Sequence, residues 1–263
     1  MLPDVVVIVG CLLLGLVVGS FGNVVIARVP EGGSLVSPRS TCPRCGAAIR
    51  PYDNVPVVSW VVLRGRCRSC EEPISIESPL IEVACGLLFA GIGWRIGLTW
   101  ALPGFLLYGW LLLVVAVIDL HTRRIPNRLT YPLTPTLLAL LTVAAVLEST
   151  RGVALRSVLA GVVCFSLLLV LALINPRGMG MGDVKLGAFI GIGLGYLGWG
   201  HVWLGLFLGF LGGGIIAALL LALRLRTRKD HIPFGPWLAL GAIVALLAGQ
   251  PIIDAYLRWS GLA

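Results

Sequence analysis

Two aspartates stand where long apolar runs meet polar connections: Asp119 in AVIDLHTRRIPN (116–127) and Asp183 in GMGMGDVK (178–185). An acid at the edge of a membrane is costly to desolvate and is a functional candidate by default. Two carboxylates brought close cannot both ionise readily, so they share a proton. In that state one acts as base on a water and the other donates a proton to a carbonyl, which is the chemistry of amide hydrolysis. The same pair suits a proton or cation path through a transporter. Taken singly, each suits an ion pair, Asp119 with Arg123 or Arg124 and Asp183 with Lys185. Gly178, Gly180 and Gly182 precede Asp183 and allow both irregular backbone and the close approach of an extended peptide. Lys185 reads either as a partner of Asp183 or the substrate, or as an interfacial lysine with its ammonium in the headgroups. Glu82 reads as a contact for a substrate amine or as half of a structural ion pair.

A second constellation is CPRCG at 42–46 and CRSC at 67–70, two C-x-x-C pairs with 21 residues between Cys45 and Cys67. Each turn directs two thiolates at one metal, so Cys42, Cys45, Cys67 and Cys70 supply a tetrahedral zinc set. Four thiolates close the site to water, so the zinc is structural. A redox pair or two disulfides is the alternative, and a reducing compartment argues against it. Cys11, Cys85 and Cys164 lie alone in apolar runs and read as packing residues.

The elements that must position these groups are membrane helices. The chain is 58% hydrophobic and 12% charged, with a mean hydropathy of +0.98, a balance that leaves a soluble domain too little polar surface. Its 34 glycines suit a helical bundle in which backbones approach closely. Eight apolar segments are expected, near 4–25, 80–98, 100–118, 129–147, 153–174, 184–200, 202–223 and 235–257. The first has no basic residues ahead of it and reads as a retained helix rather than a signal peptide. The connections 26–79, 119–128, 175–183 and 224–234, with Lys185, carry sixteen of the 20 Lys and Arg residues. The positive-inside rule puts these connections in the cytoplasm and both termini outside. The net charge of +8 belongs to those loops and not to nucleic-acid binding. The expected division is a first transmembrane helix (1–25), a zinc-binding cytoplasmic loop domain (26–79) and a transmembrane helical core (80–263). The fold class is an all-α polytopic membrane protein.

The chain resembles the bacterial type IV prepilin peptidases, membrane aspartic proteases of the G-x-G-D type. The resemblance rests on GSFGNVVIARVP (19–30), the cysteine loop (42–70), PLIE (79–82), DLHTRRIPN (119–127), GMGMGDVKLG (178–187) and IPFGPWLALG (232–241). It implies a catalytic pair of Asp119 and Asp183, zinc on the four loop cysteines, and cleavage of the short basic leader of prepilins or pseudopilins at the cytoplasmic face. It also implies methylation of the new N-terminal amine from S-adenosylmethionine. A non-enzymatic assembly factor that docks through the zinc loop is a further reading of the same sequence.

Overall fold

The computed structural model describes residues 2–37, 39–175, 178–225 and 233–261. Arg177, Arg226, Arg228, Lys229 and His231 lie outside them, with most of the basic run expected to anchor the cytoplasmic surface. Among the described residues every regular element is helical, apart from two isolated bridges. The helices are α1 (Leu2–Arg28), the short α2 (Val58–Val62), α3 (Glu77–Ile96), α4 (Leu102–Thr122), α5 (Asn127–Leu147), α6 (Arg151–Ile174), α7 (Met181–Leu197), α8 (Trp199–Ala222) and α9 (Gly235–Trp259). Seven of the eight expected segments form helices long and apolar enough to cross a membrane. The eighth, α7, has 17 residues.

The boundary between α7 and α8 falls at Gly198, three residues before the expected turn. YLGWGHVW offers two glycines, and Gly198 alone of them takes a positive φ, 152°, which breaks the helix. Asp119 was expected at the end of its segment; α4 instead runs one turn further to Thr122. Arg123 closes it in the left-handed region with its N–H on the Asp119 carbonyl at 2.9 Å.

The chain divides into two compact units, Met1–Leu98 and Thr99–Ala263. In the first, α1 packs along α3. Gly15 and Gly19 of α1 form the contact, where an added Cβ would lie 2.7 Å from the Cys85 carbonyl and 2.9 Å from the Glu82 Cα. Cys11 and Cys85 are buried in this seam, as their apolar surroundings predicted.

In the second unit α7 is the central element and touches α4, α5, α6, α8 and α9. Lipid gives apolar helices little reason to associate, so close backbone packing supplies the attraction. Gly187, Gly191 and Gly195 form one stripe at four-residue spacing against α6. A Cβ at Gly191 would stand 2.4 Å from the Ala160 carbonyl. Arg156 of α6 then caps the end of α7, donating to the Gly195 and Tyr196 carbonyls at 2.7 and 2.6 Å, where a cation also suits the negative end of the helix dipole. Tyr108 of α4 stacks on Phe189 of α7 with ring centroids 5.3 Å apart. Helices α8 and α9 meet backbone to backbone, and a Cβ at Gly241 would lie 2.4 Å from the Gly209 nitrogen.

Gly241→Val is therefore expected to lower stability by about 1–3 kcal/mol through overpacking. Gly214→Ala, which meets no atom within 4 Å, should be nearly neutral. Thermal unfolding in detergent checks the contrast.

Candidate active site

Asp119 lies in the last turn of α4 and Asp183 in the first turn of α7, with 5% and 8% of their surface exposed. Each carboxylate is held through one oxygen by a backbone N–H at the start of a helix. The Gly235 N–H, at the first position of α9, reaches Asp119 Oδ2 at 3.1 Å. The Gly180 N–H, at the N-cap of α7, reaches Asp183 Oδ2 at 3.1 Å, while the Asp183 N–H returns a bond to the Gly180 carbonyl at 3.1 Å. Such unpaired N–H groups at the positive end of a helix favour an anion.

Ile125, on the turn between α4 and α5, joins the two halves. A Cβ on Gly182 would lie 3.0 Å from the Ile125 Cβ, and one on Gly235 would lie 3.2 Å from its Cδ1. The glycines beside both aspartates therefore press on opposite parts of one side chain. Asp119 and Asp183 lie within electrostatic range of one another. Neither has a cationic partner among the described residues, so the alternative reading, ion pairs with Arg123, Arg124 or Lys185, is not what forms.

Lys185 is directed at α5. Its Nζ donates to Asn127 Oδ1 at 2.8 Å and lies 4.7 Å from the centre of the Tyr131 ring. It ties the first turn of α7 to the first turn of α5. The four-residue spacing of Asn127 and Tyr131 on one helix face was a readable sign of such a receptor. The glycines of GMGMGD differ in kind. A Cβ on Gly182 would crowd Ile125 at 3.0 Å, whereas one on Gly180 would meet nothing closer than Asp183 Oδ2 at 3.7 Å.

Glu82 belongs to the first unit. It is 8% exposed, and its Oε2 accepts the Val57 N–H at 2.7 Å. The expected ion pair with a loop arginine is not formed among the described residues. The bond holds Val57 in the left-handed region at φ 61°, an uncommon conformation for a β-branched residue.

The cysteine loop consists of two similar turns. Cys42 donates its N–H to the Ala47 carbonyl and receives the Gly46 N–H on its own carbonyl; Cys67 does the same with Glu72 and Glu71. A bridge closes each turn, Thr41 to Ala48 and Arg66 to Pro73. The residue after the second cysteine takes a positive φ in both, 71° at Gly46 and 58° at Glu71. All four Sγ atoms lie within 4.8 Å of one another, and those of Cys42 and Cys70 are 3.7 Å apart. Tetrahedral bonds of about 2.3 Å to a zinc ion require sulfurs about 3.8 Å apart, so the set fits that ion. The backbone N–H groups of Cys45 and then Arg44 hold the Cys42 thiol down at about 7. Cys70, against the pull of the Glu72 N–H, is pushed up to about 12 by desolvation and by its bonds to the other three thiols, so the thiols share protons until a metal displaces them.

Together these features describe a polytopic helical membrane protein with a buried, glycine-anchored pair of carboxylates and a four-cysteine metal-binding loop. Comparison with known proteins agrees. Residues 13–96 match the bacterial peptidase A24 N-terminal domain and residues 105–222 match the type IV leader peptidase family, and the chain belongs to that family. A prepilin leader peptidase/N-methyltransferase of Pseudomonas aeruginosa is 36% identical over 95% of this chain and 93% of its own. One of Bacillus subtilis is 34% identical over 94% of this chain and 96% of its own. One of Myxococcus xanthus is 50% identical over 46% of this chain and 36% of its own. No solved structure is significantly similar.

The sequence assigned no role to Gly235 or Ile125. The signal for Gly235 was FGP, a glycine with a free N–H immediately before a proline that opens a helix. Gly235→Ala would set a Cβ 2.7 Å from Asp119 Oδ2. It is expected to slow peptide cleavage by about 10- to 100-fold through misplacement of the carboxylate. Gly180→Ala, with ordinary contacts, should cost less. Cleavage rates of both variants, with thermal midpoints to show that they fold, make the comparison.

Proposed function

We propose that this chain is a membrane-embedded aspartic endopeptidase that removes the short basic leader from type IV prepilins or pseudopilins, and that it methylates the new N-terminal amine. The observation that carries the reading is the pair Asp119 and Asp183, buried, within electrostatic range and without a cationic partner among the described residues, in a chain of the type IV leader peptidase family.

The pair holds one proton between its two carboxyl groups. The ionised member takes a proton from a water, whose oxygen attacks the scissile carbonyl carbon. The protonated member gives its proton to the carbonyl oxygen. Collapse of the tetrahedral adduct breaks the C–N bond as the leaving amine takes the proton that the first aspartate removed from water. The N–H groups of Gly235 and Gly180 keep one oxygen of each aspartate fixed, so the other is the one presented to water and substrate. The space beside Gly180 receives the extended peptide near the cleaved bond.

The charge distribution supports a cytoplasmic location for both aspartates and for the cysteine loop, with both termini outside and the chain in the bacterial inner membrane. The substrate's apolar helix then lies in the bilayer and its basic leader in the cytoplasm. Cys42, Cys45, Cys67 and Cys70 hold a zinc ion that cross-links residues 26–79, a segment too small for a core of its own. The peptidase core is residues 80–263. S-adenosylmethionine supplies the methyl group.

Purified protein is expected to remove the leader from a prepilin of the same organism, read by mass spectrometry. Asp119→Ala and Asp183→Ala should each lower the rate by about 10³-fold or more. Cleavage by either variant at the wild-type rate contradicts the assignment. Metal analysis should find zinc in wild type and much less in Cys42→Ser and Cys67→Ser. Protons compete with the metal for all four thiolates. Zinc retention against a chelator should therefore weaken progressively as the pH falls.

A further inference from the structure

A cavity of about 520 Å³ opens within the first unit, between α1, the segment carrying α2, and the start of α3. That volume is in the range of small-molecule sites. Two groups on its wall have no role in the cleavage steps proposed above. One is Glu82, buried and bonded through one oxygen to the Val57 N–H, with no cation among the described residues in ion-pair contact. The other is Trp60. Its indole N–H donates to the Ile74 carbonyl at 3.2 Å, and Gly65 lies against its ring, where a Cβ would come within 2.8 Å. The tryptophan is thus fixed by the loop itself. Of the remaining charged residues on the wall, Asp53 is held by Arg68, with Nη2 to Oδ1 at 2.6 Å, and Arg28 donates to the Ser34 carbonyl. Asn23 and Asn54 add neutral polar lining.

A buried carboxylate without a counter-charge is expensive. A bound cation repays that cost, and an indole on the same wall attracts the same kind of ligand through its ring. We infer that this cavity binds an organic cation whose charge lies between Glu82 and Trp60. The inference rests on the proposed N-methylation and supplies a location for it. That reaction offers two such cations, the sulfonium of S-adenosylmethionine and the ammonium of the newly exposed peptide N-terminus.

The deciding variant is Glu82→Gln in the full-length protein, because the amide oxygen keeps an acceptor for the Val57 N–H and removes only the charge. Titration calorimetry in detergent would use S-adenosylmethionine against S-adenosylhomocysteine, which lacks the sulfonium. A second arm would use a mature pilin N-terminal peptide with a free or an acetylated amine. The expected result is a loss of at least about tenfold in affinity for the member of one pair that carries the sulfonium or the free ammonium, with a much smaller change for the counterpart that lacks that charge. The affected arm identifies which cation occupies the site. Methylation should then fall at least about tenfold more than cleavage, and Trp60→Leu should weaken the same probe.

Unchanged binding of every probe by Glu82→Gln overturns the inference, as does wild-type protein that binds none of them. Equal loss of cleavage and methylation also overturns it, since that marks Glu82 as a strut for Val57 alone. Wild-type protein that binds a probe but cleaves no prepilin contradicts the peptidase reading instead.

Discussion

The arrangement of the second unit depends on how closely α7 can approach its neighbours. In lipid the association of apolar helices comes from packing and hydrogen bonds. The stripe of Gly187, Gly191 and Gly195 lets α7 lie against the α6 backbone, and Arg156 secures its far end. With most of its residues buried, α7 has little freedom to slide or rotate. The position of Asp183 in its first turn follows from that packing, and so does the direction of Lys185 toward α5.

Backbone N–H groups then solve an electrostatic problem. Two acids are buried near one another, and a salt bridge to either would hold it ionised, against the shared proton proposed for the pair. A helix start holds a carboxylate without supplying a full positive charge. Gly235 and Gly180 each do so with one N–H, and each leaves space a side chain would reduce. The cost at Gly235 is a demand for glycine, since a Cβ there would lie 2.7 Å from Asp119 Oδ2. Ile125 transmits the packing of one aspartate to the other, since it touches the glycines beside both.

Much of this was legible in sequence, and for identifiable reasons. Hydropathy located the helices because a bilayer requires long apolar runs whatever the tertiary structure. C-x-x-C spacing brought four sulfurs together because the turn is local, and the loop then closes around them. Asp119 and Asp183 were legible because a charge at the end of an apolar run is conspicuous. What escaped were contacts made across the fold. Gly235 is 116 residues from Asp119, and nothing local in FGP shows which carboxylate it meets. Lys185 looked like a partner of Asp183, two residues away, but a helix turns such a pair apart, whereas Asn127 lies on the facing helix. The loop 26–79 concealed the strained Val57, whose conformation depends on Glu82 in α3.

We propose that Asp119 and Asp183 act as one unit around a shared proton. A kinetic cycle of Asp119→Asn, Asp183→Asn and the double variant, on a prepilin substrate with folding checked by thermal midpoint, tests it most directly. With a shared proton the double variant is no slower than the slower single variant, because loss of either carboxylate already removes the pair. Losses that multiply in the double variant would show two independent contributions and contradict it.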